Sequence, residues 1–164
     1  MDKDKFWAII EKGVGKNHIP TLMRELNKLT PEEIISFQAR FDDIHSSAYN
    51  WNIWGACIIG GAHCSDDGFT DFRYGLIALG REIFEKALDN PDSLVELDIP
   101  KINNESFGYV AGDIYKEKSG NDIYDNYPAR IGACDDDLGE QWDFEDYDES
   151  FDRLPNITKK YMKK

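Results

Sequence analysis

From Thr30 onward the chain specifies a helix more completely than anywhere else. Thr30-Pro31-Glu32-Glu33 is followed by Ile34, Phe37, Phe41, Ile44, Ala48 and Trp51 at spacings of 3, 4, 3, 4 and 3. That spacing places the six apolar side chains on one stripe of a 3.6-residue period. The start is equally well marked: a hydroxyl caps the first turn, Pro suits the first helical position, and acids face the positive end of the helix dipole. Glu33, three residues after Thr30, completes the spacing of a capping box. A helix this amphipathic must bury its stripe, and the flanking sequence offers it other helices.

Phe6, Ile10 and Val14 share a face beside Trp7, and Gly13 and Gly15 end that segment. Pro20 suits the first turn of a second helix carrying Leu22, Leu26 and Leu29. Residues 51–61 are almost wholly apolar and predict a short buried helix. Ser65-Asp66-Asp67-Gly68 offers N-caps for a long stripe of Phe69, Phe72, Leu76, Leu79, Ile83 and Ala87, closed by Asn90-Pro91. Residues 92–104 read as a connector with a short apolar piece, and Phe107, Val110, Ala111 and Ile114 mark one more helix, ended at Ser119-Gly120. No two-residue hairpin turn separates alternating apolar runs, and no repeat of 20–50 residues recurs. The expected fold is all-α, a compact bundle of five to seven helices over residues 1–120, followed by an acidic, aromatic-containing segment, 121–164, packed on the same domain. At 164 residues such a chain buries roughly 68–70% of its unfolded surface, so its core needs no staple.

Charge divides the chain more sharply than hydropathy does. Residues 1–120 carry a net charge of −7, residues 121–154 carry −10, and the last ten, with Lys159, Lys160, Lys163 and Lys164, carry +4, together the −13 of the whole chain. From 135 to 152 there are ten acids and no base, interleaved with Trp142, Phe144, Tyr147 and Phe151. Purely solvating acidic tails lack such aromatics. The balance disfavours nucleic acid and anionic membranes as partners, since both need clustered cations. It favours a basic protein partner.

The charged N-terminus lacks the apolar core and cleavage site of a signal peptide, and no stretch approaches 18 uninterrupted apolar residues, so a soluble cytoplasmic protein is expected. Cys57, Cys64 and Cys134 form an odd set, which fits free, reduced thiols.

Trp54-Gly55-Ala56, Cys64-Ser65-Asp66-Asp67-Gly68-Phe69, Asp71-Phe72-Arg73, Leu76-Ile77, Gly80-Arg81-Glu82 and Pro91-Asp92-Ser93-Leu94 keep an ordered spacing. With Phe6-Trp7, Pro31-Glu32-Glu33-Ile34 and Tyr109-Val110-Ala111, they resemble an uncharacterised bacterial family, the domain of unknown function 4240. The resemblance covers roughly residues 1–115, departs from the pattern at Ala62-His63, and implies a small helical cytosolic domain without supplying a reaction. The acidic segment lies outside it.

Several constellations invite chemistry. Asp66, Asp67 and Asp71 with Arg73 and Arg81, beside Trp54 and Phe69, form a candidate pocket. Two carboxylates at a helix start suit a cation or an amine, and two arginines suit a carboxylate or phosphate. The bland counterpart is N-capping with internal ion pairs. Cys57, His63 and Cys64 fit zinc-ligand spacing poorly. A Cys/His nucleophile would need an orienting group and an oxyanion site, neither of which is signalled, and His18 and His45 read as helix-surface or locally bonded side chains. A calcium loop counted from Asp135 would require Gly and Glu where Glu140 and Asp146 stand. Phosphate-binding glycine motifs are absent. No metal, cofactor or catalytic residue is therefore assigned.

The charge map points first to a non-enzymatic, acidic protein-binding module. Its concrete form is an immunity protein that occludes a basic toxin or effector. Asp135, Asp136, Asp137, Glu140, Asp143, Glu145 and Asp146 would steer the encounter, and Trp142, Phe144, Tyr147 and Phe151 would anchor it. The alternative is a small enzyme or ligand-binding domain built on the pocket of residues 66–81. A third option is a self-associating helical adaptor. Oligomeric state is left open.

Overall fold

The capping box at Thr30 is formed: the Glu33 amide donates to Thr30 Oγ1 at 3.3 Å, and the Thr30 amide donates to Glu33 Oε2 at 3.0 Å. It opens the longest helix of a computed structural model that describes residues 1–62, 64–127 and 138–163. Among the described residues there are nine α-helices and no strand. These are α1 (Lys3–Ile10), α2 (His18–Leu26), α3 (Pro31–Ser47), α4 (Trp51–Ile59), α5 (Asp66–Ala78), α6 (Arg81–Asp89), α7 (Glu105–Ser119), α8 (Tyr147–Arg153) and α9 (Pro155–Tyr161). Short 3-10 turns occupy 11–13, 91–96, 99–101 and 123–125. No helix among the described residues is long and apolar enough to cross a membrane.

The helix α7 packs against α2, α3 and α5, and the core between them is aromatic. Phe6, Trp7, Phe37, Phe41, Phe69 and Phe72 are all buried there, and Phe6 stacks on Phe37 with ring centroids 4.9 Å apart. Each such side chain removes a large apolar area from water, on the order of 2–3 kcal/mol apiece.

Seven of the nine helices lie within residues 1–120, two of them made from one predicted stripe. The stripe from Phe69 to Ala87 continues through residue 80, but Gly80 takes φ +95 and divides it into α5 and α6. A side chain would be strained in that conformation. Trp51, expected at the end of α3, instead opens α4, because Asn50 accepts from the Ile53 amide at 2.9 Å and starts a new helix. The reading of Cys57 and Cys64 as free thiols is also corrected. The two are joined as a disulfide with Cα atoms 6.2 Å apart, inside the usual span for such a bond. A turn at Gly60-Gly61, whose Ala62 amide bonds back to the Cys57 carbonyl at 3.1 Å, carries Cys64 onto the end of α4.

The C-terminal helices are tied to this body by a buried carboxylate. Asp92, 5% exposed, accepts from the Asn156 and Ile157 amides and from Asn156 Nδ2 at 2.6 Å, and so satisfies the start of α9.

Candidate functional site

The acidic segment reaches the body at α4. Leu138 offers its carbonyl to the Trp51 amide at 3.0 Å. Trp142 lies against Gly55, where a Cβ would overlap its ring, and its Nε1 donates to Asn52 Oδ1 at 3.1 Å. Phe144 meets Trp142 edge-on at 4.7 Å and Trp51 at 6.0 Å. Trp142 is consequently only 6% exposed. That packing makes it an internal anchor of the segment. Gly55, set among the large apolar side chains that open the run 51–61, was the sequence signal for such a close approach.

Trp142 and Phe144 face the body, and the acids of the segment face outward. All seven acids between 138 and 152 are exposed. Several are also oriented: Asp143 accepts from the Glu145 amide at 2.9 Å, Glu149 accepts from the Asp143 amide at 3.0 Å, and Asp146 caps α8 through the Glu149 amide at 2.8 Å. Glu140 pairs with Arg153 at 2.8 Å, and that guanidinium also lies 5.5 Å from the Trp142 ring centre. Tyr147 stacks with Phe151 at 6.1 Å, and Lys159 lies over Phe151 at 5.1 Å. Asp135, Asp136 and Asp137, with Cys134 and His63, lie outside the described residues.

Between the segment and α4 runs an open groove of about 690 Å³. Its rim carries Asp143, Glu145 and Glu149, and its floor carries Trp142, Phe144 and Ile58. Ile58 is 38% exposed, one of the few large apolar side chains of the described residues left in water. Sequence reading missed Ile58, Asn52 and Glu149. Ile58 stood in an apolar run read as buried on all sides, although Trp51, Gly55 and Ile58 share a face at spacings of four and three.

The Asp/Arg constellation does not converge. Trp54, Phe69 and Arg73 come together: Trp54 stacks on Phe69 at 4.8 Å, and the Arg73 guanidinium lies 4.9 Å from Phe69 and 4.7 Å from Tyr49. Arg81 is elsewhere, bonded to Asp4 at 2.8 Å and Glu85 at 3.0 Å, because the break at Gly80 removes it from the α5 axis. Asp66 and Asp67 are exposed in the first turn of α5.

Arg73 itself, 7% exposed, is a structural cation. Its nitrogens donate to the Phe69 and His45 carbonyls, to Thr70 Oγ1 and to His45 Nδ1, all within 3.3 Å. Among the described residues no carboxylate lies within ion-pair distance of it. Burial lowers its pKa to about 10, and the carbonyls closing α3 take the place of a counter-ion. Because Arg73 donates to Nδ1, His45 carries its proton on Nε2, facing the Thr70 carbonyl at 3.3 Å. Burial and then the arginine charge drive the imidazole down to about 3, so it is neutral at pH 7. The cluster fastens α3 to α5 and commits four of the five guanidinium N–H groups to internal partners. Among the described residues no three His, Cys, Asp or Glu side chains gather as metal ligands.

Residues 1–117 match the model of the family described as protein of unknown function (DUF4240). No curated protein and no solved structure matches the chain.

Proposed function

The chain belongs to this DUF4240 family, and from that premise we propose that it is a protein-binding module whose acidic face, residues 138–152 with Ile58, captures a basic segment of another protein. The observation that carries the reading is the groove: an apolar floor of Ile58 and Phe144 under a rim of Asp143, Glu145 and Glu149. A lysine or arginine side chain fits such a surface, laying its methylenes on the floor while its charge meets the rim. Carboxylates held on one ordered segment raise the local potential, speed association with a cation and reject anions. The acidic segment of that face lies outside the residues matched to the family and joins the family domain through α4 and Asp92, while Ile58 belongs to the family domain. An immunity protein that occludes the cationic active site of a toxin or effector is the specific form this chemistry suits, within a cytosol where such a toxin would act.

The test separates an address from mere net charge. Two full-length variants lose three exposed acids each, one at the groove (Asp143→Asn, Glu145→Gln, Glu149→Gln) and one on the body (Glu32→Gln, Asp89→Asn, Glu117→Gln). Binding of a labelled decalysine peptide is followed by fluorescence anisotropy at low and moderate salt. The groove variant is expected to lose about tenfold in affinity, roughly 1.4 kcal/mol, and the body variant little. Equal losses would refute the reading.

A further inference from the structure

The seat of the acidic segment, α4, carries a second feature that the binding role does not use. Cys57, in its last turn, is joined to Cys64 in the loop leading to α5. Resting on the reading above, we propose that this pair is a redox clamp on the acidic face: closed, it holds residues 138–150 on α4, and its reduction by a small thiol releases that hold and weakens capture of the basic partner.

The contacts run without a gap from sulfur to groove. The Cys64 carbonyl accepts from Trp54 Nε1 at 3.2 Å. Trp54 is stacked between Phe69, at 4.8 Å, and Trp51, at 5.3 Å. Trp51 in turn meets Phe144 and gives its amide to the Leu138 carbonyl. Ile58, the exposed side chain of the groove floor, directly follows Cys57 in the chain. A covalent link between the end of α4 and the loop thus fixes Trp54, and through it the aromatic row on which the acidic segment rests.

The two sulfurs differ in access, which sets the order of exchange. Cys57 is fully buried and Cys64 partly exposed. An entering thiolate RS⁻ attacks Sγ of Cys64, the S–S bond breaks, and Cys57 leaves as a thiolate that takes up a proton. A second RS⁻ attacks the R-side sulfur of the mixed disulfide and releases Cys64 as its thiolate, which is then protonated. Two RSH are oxidised to RSSR while the protein disulfide is reduced to two thiols; a small disulfide RSSR drives the reverse. The buried, apolar site makes Cys57 a poor leaving group and slows reduction.

The experiment uses the full chain with Cys134→Ser, so that one pair alone is read. It is poised with glutathione disulfide or with dithiothreitol. Alkylation and intact mass count the thiols, and hydrogen exchange follows residues 51–59 and 138–150, with α3 and α7 as internal references. Exchange over 138–150 is expected to quicken about tenfold on reduction while α3 and α7 hold, and Cys64→Ser is expected to show the fast rate in both buffers. Two alkylatable thiols in glutathione disulfide, or equal exchange in both states, would overturn the clamp. Decalysine binding separates the two ideas. Redox-dependent exchange with no decalysine binding in either state upholds the clamp's grip on the segment and sinks the basic-partner reading. Unchanged exchange with intact binding sinks the clamp alone.

Discussion

The body and the acidic segment use aromatic side chains to opposite ends. In the body, aromatics pack on aromatics, and charged side chains bond to internal partners. Glu25, for example, is held by Lys12 and Lys28 at 2.7 Å each, and Arg81 bridges Asp4 and Glu85. Between 138 and 152, acids outnumber apolar side chains, and Trp142, Phe144 and the Leu138 carbonyl fasten the segment to α4. A segment so charged cannot bury enough surface to fold by itself. It is ordered because the body supplies a glycine for the Trp142 ring and Asp92 for the start of α9. Its carboxylates stand exposed on that support.

Two glycines on neighbouring helices break this comparison in different places. At Gly75, inside α5, a Cβ would overlap the carbonyl oxygen of Ile102, a backbone atom that cannot swing aside. Gly75→Ala is expected to destabilise the whole molecule by at least ~3 kcal/mol, despite a gain in helix propensity of about 1 kcal/mol, and to lower Tm by roughly 6–12 °C. Calorimetry measures this, and a Tm within 2 °C of the parent would contradict it. Gly55→Ala meets a side chain instead, the Trp142 ring. There the segment is expected to shift while the body stands. The Trp142 indole resonance moves, fluorescence reddens, and global stability changes by no more than about 1 kcal/mol because propensity offsets lost burial. A cooperative loss of the body on Gly55→Ala would show that the two regions are energetically one.

A smaller effect sharpens the contrast between inner and outer acids. Asp42, bonded to Gln38 Nε2 at 2.8 Å, is raised from 3.8 to about 6, chiefly by burial. The folded protein thus holds that proton more tightly than the unfolded chain does. The stabilisation this brings is complete below pH 3.8 and is lost as pH rises through about 6. Asp42→Asn keeps an acceptor for Gln38 and removes the charge. It is expected to raise stability by about 1 kcal/mol at pH 8, a figure reduced for partial solvent exposure, and by nothing at pH 4. Denaturant melts at both values check it, and an equal effect at the two would contradict it.

Much of the body was legible because local signals agree there. At Thr30 the cap, the proline and the period all specify one helix, and α3 follows. Where a long-range contact decides, the sequence was silent. The stripe across residue 80 keeps helical spacing, and only the positive φ of Gly80 redirects α6 and takes Arg81 away from Arg73. Cys57 and Cys64 meet only because a glycine turn reverses the chain. The aromatics of the acidic segment were compatible with an outer anchor and an inner one alike. What places Trp142 inside is the bare backbone at Gly55, 87 positions away in the chain.

The proposed binding role requires that the charge mark one place on the molecule. The direct measurement is a titration of the ¹⁵N- and methyl-labelled protein with decalysine, followed by chemical-shift perturbation. The shifts are predicted to gather on the Ile58 methyls, the Trp142 indole N–H and the amides of residues 141–149. Perturbations spread over every exposed acid, or centred on the body helices, would contradict it.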